Sequence, residues 1–334
     1  MKEAMLWSAR DGEVLCVLCA HRCVIEDGKR GLCGVRLNGE GTLYTLNYGK
    51  IVSRAVDPIE KKPLYNFLPG TLSYSIAAAG CNFFCDFCQN WQISQTTHDG
   101  GAIDGEDVTP ADVVAAAQAH KCASIAYTYT EPTVFFEFAY DTAGLARRAG
   151  LKNIFVTNGY QTPEAIDKMA GLVDAANVDL KSFSDDFYRK RCGARLAPVL
   201  KAISLMHAKG IFVEITTLVI PGENDGREEL TRLAGFIASL SPDIPWHVSR
   251  FHPDYRQHDV GWTPSETIFD AAEIGKAAGL KYVYAGNLPA GKYEHTYCPA
   301  CGEVVIERSG FASRNAGLDK CKCRKCGRDL NVIV

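Results

Sequence analysis

No stretch of the chain approaches the roughly 20 consecutive apolar residues that span a bilayer, so the sequence predicts no membrane segment. The first seven residues, Met1 to Trp7, are interrupted by charged side chains and contain no apolar core of signal-peptide length. We therefore expect a cytoplasmic protein with no membrane partner.

The chain also lacks an excess of basic residues, and its formal net charge is −3. This balance gives no sign of general nucleic-acid binding, although a local basic groove stays compatible with it. Of the 334 residues, 47% are hydrophobic and 22% are charged. That composition predicts one large domain with a buried core and small appendages.

Cysteine is abundant, with 14 residues. Because a cytosolic environment keeps thiols reduced, we expect these cysteines to hold metals rather than to form disulfides. Most of them fall into three groups. Outside the groups, Cys122 is interpreted as a core residue, and Cys192 as a buried or loop thiol with a hydrogen-atom donor as the alternative.

The central group is Cys81, Cys85 and Cys88, in a Cys-x3-Cys-x2-Cys loop that follows a predicted strand. Three thiolates leave one iron of a [4Fe–4S] cluster without a protein ligand, and such an iron can bind and reduce a substrate. Structural zinc usually takes four ligands from Cys-x2-Cys knuckles, which this spacing suits poorly. The alternative is a closed zinc or ferredoxin-type site that takes a fourth cysteine from elsewhere.

The first group consists of Cys16, Cys19, Cys23 and Cys33, with His21 as an alternative ligand. Four cysteines are compatible with zinc or with a second, auxiliary iron–sulfur cluster, and both remain open.

The last group forms two Cys-x2-Cys-Gly knuckles and predicts a zinc ribbon with the ligands Cys298, Cys301, Cys323 and Cys326. Cys321 competes with Cys323 as a ligand, and a cluster is the alternative to zinc.

Strand and helix patterns alternate from about residue 71 onward. Strands are predicted at 72–78, 124–130, 153–158, 176–181, 212–220, 246–251 and 281–285, and helices at 110–120, 134–148, 163–170, 198–208, 228–240 and 265–278. Such units imply a parallel sheet with right-handed crossovers. We predict an α/β fold with a partial or complete (β/α) barrel at 71–290, a Cys-rich unit and connector at 1–70, and a zinc-ribbon-like unit at 291–334.

Polar residues follow successive predicted strands, at the edge where barrels place their chemistry. Those singled out are Glu131, Asn158, Asp179, Lys181, Thr217 and His252. Asp179 and Lys181 are two residues apart, so both side chains are expected on one face of their strand. Charged residues 57–65 form either a solvated loop or a lip over the active site.

The central loop, with Phe87 before the last cysteine, resembles the signature of radical S-adenosylmethionine (radical SAM) enzymes. Residues 71–290 resemble those related to pyruvate formate-lyase activase, at the three cysteines, Asn158-Gly159, Asp179-Leu180-Lys181, Val219-Ile220-Pro221-Gly222 and His252. The whole chain resembles the radical SAM enzymes of the "AmmeMemoRadiSam system", at both outer cysteine groups, residues 57–65, Cys88-Gln89-Asn90-Trp91 and Tyr129-Thr130-Glu131-Pro132.

The resemblance implies a [4Fe–4S] cluster on Cys81, Cys85 and Cys88 whose open iron chelates SAM. Reductive cleavage would give methionine and a 5′-deoxyadenosyl radical that abstracts hydrogen from an unidentified substrate. Contacts with SAM are expected from Phe87, Glu131, Asn158, Asp179, Lys181, Thr217 and His252. The family's Gly-Gly-Glu motif appears here as Tyr129-Thr130-Glu131, and Val156 stands where activases have aspartate.

The implied partners are SAM, an electron donor such as a flavodoxin or ferredoxin, and Memo-like and AMMECR-like proteins. Two other functions are considered. One is activation of a glycyl-radical protein, which needs a groove for a partner's loop. The other is an electron-transfer or metal-binding adaptor without turnover, which would release no 5′-deoxyadenosine from SAM.

Overall fold

The computed structural model describes the backbone of residues 1–334 and every side chain except that of Asp99. Its helices are α1 (Trp91–Ser94), α2 (Pro110–Ala119), α3 (Phe136–Arg148), α4 (Pro163–Met169), α5 (Asp185–Phe187), α6 (Leu196–Ala208), α7 (Arg227–Leu240) and α8 (Ser265–Ala277). In the part of the chain that the structure describes, no helix has both the length and the apolar character needed to cross a membrane.

The six amino-terminal strands form two small antiparallel sheets. They are β1 (Lys2–Glu3), β2 (Trp7–Arg10), β3 (Glu13–Cys16), β4 (Val24–Glu26), β5 (Arg36–Gly39) and β6 (Thr42–Thr45). One sheet has the order β1-β6-β5 and the other the order β2-β3-β4. The second sheet carries Cys16 at the end of β3, and Cys19 and Cys23 lie in the connection between its paired strands β3 and β4.

A nine-stranded sheet forms the centre of the molecule. Its strands are β7 (Lys50–Pro58), β8 (Leu72–Ala78), β9 (Glu106–Asp107), β10 (Ser124–Tyr127), β11 (Lys152–Thr157), β12 (Ala175–Asp179), β13 (Phe212–Val219), β14 (Trp246–Arg250) and β15 (Val283–Gly286). The order is β15-β14-β13-β12-β11-β10-β8-β7-β9. From β8 to β15 every neighbouring pair is parallel, whereas β7 pairs antiparallel with β8 and β9.

The predicted α/β fold with a parallel sheet is confirmed, and all seven predicted strands are present. Nothing in the described residues pairs β15 with β9, so the barrel is partial rather than complete. All four side chains of β10 are buried, as expected for a parallel strand covered on both faces. Strand β10 ends earlier than predicted because Tyr129 has a left-handed φ of +65°, which breaks the extended backbone.

The helix start predicted at Pro110 is confirmed. Thr109 caps α2 by accepting a hydrogen bond from the Asp112 backbone, while the Asp112 carboxylate bonds the Thr109 backbone in return. Helix α2 packs beside α3 on one face of the sheet, and this places the following strand, β10, directly beside β8. The cap at Thr109 therefore defines the start of the helix that connects β8 to β10, and site residues follow both of these strands.

The carboxyl-terminal unit contains five short strands. They are β16 (Thr296–Tyr297), β17 (Val304–Ser309), β18 (Ala312–Asn315), β19 (Leu318–Asp319) and β20 (Lys322–Cys323). This unit packs on the connector that follows β7. The Ile333 backbone N–H donates to the Asn66 carbonyl oxygen at 2.8 Å, and the buried Arg308 guanidinium donates to the Tyr65 carbonyl oxygen.

Candidate active site

A cavity of about 460 Å³ opens at the carboxyl ends of the parallel strands. This volume lies within the roughly 300–1,000 Å³ that is typical of small-molecule sites. Most of the predicted site residues line it, namely Cys81, Cys85, Phe87, Cys88, Glu131, Asn158, Asp179 and Lys181. The structure thus brings together side chains that are up to 100 residues apart in the sequence.

The cysteine loop follows β8 directly, and backbone hydrogen bonds join it to the segment after α5. The Phe84 backbone N–H donates to the Cys192 carbonyl oxygen at 2.9 Å, and Asp86 N–H donates to the Arg191 carbonyl oxygen at 3.3 Å. On the other side, Cys88 Sγ lies 3.2 Å from Ser94 Oγ on α1. These contacts fix the loop so that Cys81, Cys85 and Cys88 all face the cavity.

Burial raises the pKa of the Cys81 and Cys88 thiols, whereas neighbouring groups lower that of Cys85. A hydrogen bond from Cys192 and the positive charge of Lys181 lower the pKa of the Cys85 thiol. Burial alone would lower the pKa of Lys181, but Asp179 and Cys85 outweigh it and raise that pKa. Lys181 Nζ donates to Asp179 Oδ2 at 2.9 Å, so both members of the predicted pair face the cavity. A charged ammonium therefore stands beside the thiols.

Cys192 lies behind Cys85 and is fully buried. It is not among the residues that line the cavity. This placement agrees with the interpretation of Cys192 as a buried thiol. Among the residues that the structure describes, no cysteine besides Cys81, Cys85 and Cys88 lines the cavity, so a cluster held there would have one iron free of protein thiolate on the cavity side.

Glu131 is buried, and the chain itself satisfies both of its carboxylate oxygens. Oε1 accepts hydrogen bonds from Thr133 and from Thr157 Oγ1, and Oε2 accepts one from the Asn158 backbone N–H at 2.8 Å. Burial raises the pKa of this carboxyl group, against the hydrogen bonds that lower it. The geometry assigns Glu131 to fixing the turn after β11, and that turn carries Asn158.

Asn158 joins this turn to the cysteine loop. Its Nδ2 donates to Asn82 Oδ1 at 2.7 Å and lies 3.8 Å from Cys81 Sγ. Its Oδ1 accepts the Tyr160 backbone N–H. Asn158 is therefore placed to orient the first cysteine of the loop.

Two of the residues predicted to contact SAM are placed differently. Thr217 donates to the Leu180 carbonyl oxygen and accepts a bond from Trp246, on the face of β13 opposite to Thr216 and Leu218, which line the cavity. The His252 Nε2 atom forms a hydrogen bond with the Gln89 side chain. Gln89 lines the cavity, whereas His252 does not.

The connector after β7 covers one side of the cavity, in agreement with the lip considered from the sequence. Asp57 binds Lys61 at 2.8 Å and Lys62 at 2.6 Å, and it also accepts bonds from Ser75 and Tyr129. Lys61 and Lys62 line the cavity. Burial lowers the pKa of Lys62 to about 8, although Asp57 partly offsets this effect.

His247 and Phe311 are two of the cavity residues that sequence reasoning missed. His247 is buried with its Nε2 atom 2.7 Å from Glu214 Oε2, and it shares a face of β14 with Ser249. Alternation along β14 was the signal that could have identified it. Phe311 comes from the carboxyl-terminal unit and is half exposed where it meets the cavity, and no local pattern marks it.

The first cysteine group surrounds a second, small cavity. Cys16, Cys19, Cys23 and Cys33 all line it, together with His21. The His21 Nε2 atom is already engaged with the Asn82 carbonyl oxygen at 2.8 Å. These four cysteines are therefore gathered at one place, which lies next to the central loop.

In the carboxyl-terminal unit, the sulfur atoms of Cys298, Cys301, Cys323 and Cys326 all lie within 4.8 Å of one another. Two of the separations are 3.6 and 3.7 Å. Thiolates on one tetrahedral zinc ion, with Zn–S bonds of ~2.3 Å, lie about 3.8 Å apart. The four thiols fit such an ion, and Cys321 lies outside the group that could hold it.

The fold and the cysteine loop at its carboxyl edge define the radical SAM class. The chain belongs to the radical SAM superfamily, whose family model matches residues 75–234. Members of this superfamily are enzymes that cleave SAM with a [4Fe–4S] cluster and a reductant, so the adaptor without turnover is set aside.

The "Uncharacterized protein MJ0808" of Methanocaldococcus jannaschii is 44% identical over 338 residues, covering both chains completely. The benzylsuccinate synthase activating enzyme of Thauera aromatica is 26% identical over 53% of this chain and 57% of the relative. The pyruvate formate-lyase 1-activating enzyme of Escherichia coli K12 is 25% identical over 48% of this chain and 66% of the relative.

Two solved structures share the fold. A radical SAM methyltransferase from Sphaerobacter thermophilus aligns with a TM-score of 0.52 and 18% identity, covering 68% of this chain and 71% of that one. Streptococcus suis SuiB bound to S-adenosylmethionine aligns with a TM-score of 0.52 and 13% identity, covering 69% of this chain and 54% of that one.

Proposed function

We propose that this enzyme cleaves SAM reductively in the cavity at the carboxyl edge of the sheet, with Cys81, Cys85 and Cys88 as the cluster ligands. The observation that carries the proposal is that three thiols and the Lys181–Asp179 pair face one cavity. A [4Fe–4S] cluster bound there supplies the electron that cleaves the sulfonium bond of SAM. The radical that results abstracts a hydrogen atom from a substrate.

The side chains around the cavity have different roles in binding SAM and in positioning the cysteine loop. Lys181 presents a positive charge to the SAM carboxylate, and Asp179 is placed to accept hydrogen bonds from the ribose hydroxyls. Asn158 orients Cys81, and Glu131 holds Asn158 through its backbone. The connector places Lys61 and Lys62 along the side of the cavity nearest to Tyr129.

The substrate is proposed at the level of a class of partner. The resemblance of the whole chain to the AmmeMemoRadiSam enzymes supports a substrate or partner among Memo-like and AMMECR-like proteins. Similarity to two activating enzymes favours a second candidate, the glycine of a glycyl-radical protein. Reduced enzyme incubated with each deuterated partner separates these candidates, because only the true substrate passes deuterium into 5′-deoxyadenosine.

The cluster site itself is tested by Cys85→Ala, with Cys122→Ala as the control at a buried cysteine that lies outside all three groups. Two thiolates are too few to hold the cubane firmly, so iron should fall by about four atoms per chain. The change that SAM causes in the paramagnetic spectrum and the formation of 5′-deoxyadenosine should disappear together. The control should keep all three properties. Cleavage of SAM by the Cys85→Ala protein would overturn the proposal.

A further inference from the structure

The amino-terminal cysteines and the ribbon cysteines are gathered in different ways. The four ribbon sulfurs all lie within 4.8 Å of one another, whereas no three sulfur atoms of Cys16, Cys19, Cys23 and Cys33 come that close together. One tetrahedral zinc ion would hold its thiolates about 3.8 Å apart. An iron–sulfur cluster binds thiolates to different irons and therefore spreads them more widely. The amino-terminal sulfurs therefore lack the close spacing of the ribbon site, which favours a cluster over a single zinc ion.

Two buried N–H donors at this cavity have no acceptor in the chain. Arg36 is 1% exposed and lines the cavity, and its Nε has no hydrogen-bond partner among the described residues. Asn82, also 1% exposed, lines the same cavity, and within the described chain its Nδ2 is likewise without a partner. Buried donors are almost always satisfied, so the cavity is built for an occupant that accepts hydrogen bonds.

The rest of each side chain is fixed by other hydrogen bonds, so both free donors have defined positions. The Arg36 terminal nitrogens bind Glu137 at 2.7 and 3.0 Å and the Met5 carbonyl oxygen at 2.9 Å. Asn82 Oδ1 accepts the Asn158 amide at 2.7 Å. Cluster sulfurs are acceptors for N–H groups of this kind.

Asn82 also connects the two cysteine sites. It follows Cys81 directly in the chain, and its carbonyl oxygen contacts His21 from the middle of the first cysteine group. Asn158, which holds Asn82, lies against Cys81 Sγ on the other side. An occupant of the amino-terminal cavity would therefore contact Asn82, the residue that directly follows Cys81 of the proposed catalytic cluster.

We propose that Cys16, Cys19, Cys23 and Cys33 bind a second iron–sulfur cluster, which accepts hydrogen bonds from Arg36 and Asn82 and lies beside Cys81. This site is additional to the proposed SAM-cleaving centre. Its existence depends on neither the substrate nor the turnover of that centre.

The test uses the triple variant Cys81→Ala/Cys85→Ala/Cys88→Ala of the full chain, which lacks the catalytic cluster but keeps the amino-terminal cysteines. After anaerobic reconstitution, the variant should retain about two to four irons with matching sulfide, and its Mössbauer spectrum should be that of an iron–sulfur cluster. Circular dichroism checks that the variant is folded. A folded variant with no iron and with zinc at the amino-terminal cysteines would overturn the proposal.

Cys19→Ala/Cys23→Ala is the reciprocal variant, with Cys122→Ala as the control. It should lose the second cluster and still show the spectral response of the catalytic cluster to SAM. Wild-type iron content in this variant would overturn the proposal. Failure of wild-type enzyme to cleave SAM would instead overturn the proposed function, so the two failures are distinguishable.

The role of Asn82 is measured in the triple-variant background, where only the amino-terminal cluster remains. Asn82→Leu removes the Nδ2 donor at similar size, so the reduction potential of that cluster should shift to a more negative value. An unchanged potential would overturn the contact between Asn82 and the cluster.

Discussion

The ammonium group of Lys181 donates a hydrogen bond to the Asp179 carboxylate and interacts electrostatically with the Cys85 thiol. Lys181→Met keeps most of the stem and removes the charge. We expect SAM to bind roughly 10- to 100-fold more weakly, the equivalent of about 1.5–3 kcal/mol for a charged hydrogen bond, while the cluster spectrum stays intact. Equilibrium binding of SAM to the reconstituted protein measures this effect.

Lys190→Met is the matched control, because Lys190 is an exposed lysine that pairs with Asp186 and does not line the cavity. It should leave SAM affinity unchanged. An unchanged affinity in Lys181→Met would move the carboxylate contact to another cation, with Lys61 and Lys62, which line the cavity, as the next candidates.

The carboxylate of Glu131 illustrates a different kind of residue, one that acts through its neighbours. Glu131→Gln replaces an acceptor oxygen by an amide that faces N–H or O–H donors from Thr133, Thr157 and Asn158. We expect a loss of about 1–3 kcal/mol in the free energy of unfolding, measured by chemical denaturation. Glu164→Gln, at an exposed glutamate paired with Arg22, should cost less than about 1 kcal/mol.

The two possible roles of Glu131 predict different results. If Glu131 mainly holds the turn, stability falls and SAM affinity in the folded fraction changes little. A large loss of SAM affinity at unchanged stability would instead show that Glu131 contacts SAM, as the resemblance implied.

At the level of elements, the connector depends on one buried carboxylate. Asp57→Asn would leave Lys62, which is 1% exposed, without its ionic partner and would weaken the bonds to Lys61 and Tyr129. Breaking a buried pair in this way costs about 3–5 kcal/mol. We therefore expect a large drop in the free energy of unfolding at pH 7, with Asp107→Asn, at an exposed carboxylate, as the control.

This effect should depend on pH in a defined direction. Burial would raise the pKa of Asp57, but hydrogen bonds from Lys61, Lys62 and Tyr129 hold it well below the ordinary value of 3.8. A carboxyl group with a depressed folded-state pKa stabilises the fold above its unfolded pKa and loses that contribution as pH falls below it. The stability difference between wild type and Asp57→Asn should therefore shrink below about pH 4. A difference independent of pH would show that the charge of Asp57 is unimportant.

Sequence patterns predicted the strands and the helix starts well, because each depends on local signals. Strand β8 and the cap at Thr109 lie where they were expected. The end of β10 was missed because the left-handed turn at Tyr129 is stabilised by a distant carboxylate, Asp57. Thr217 was taken for a cavity residue although its parity along β13 places it on the other face.

At the scale of the whole molecule, the carboxyl-terminal unit supports the connector and contributes Phe311 to the cavity, but none of its described cysteines lines that cavity. Cys326→Ser should remove about one zinc ion per chain and lower the melting temperature, because Arg308 and Ile333 of this unit bind the connector. We expect SAM cleavage by the folded fraction to persist. Metal analysis, thermal melting and 5′-deoxyadenosine formation measure these three properties.

Cys321→Ser is the matched control, since Cys321 lies outside the four-sulfur group, and it should keep its zinc. Complete loss of SAM cleavage in a soluble Cys326→Ser protein with a full cluster would show that the ribbon takes part in catalysis. The parts of the active site that come from this unit could not be predicted, because Phe311 reaches the cavity only through tertiary contacts.

The contact between Ile333 and the connector has a consequence for the order of events during synthesis. The connector leaves the ribosome early, but the residues that hold it from outside are translated after every strand of the central sheet. Chains fold as they emerge, so the sheet and its cysteine loop can form before the ribbon exists. A chain whose ribbon has not yet folded would therefore have a lip without its outer support, and the three thiols would be more accessible at that stage than in the finished protein.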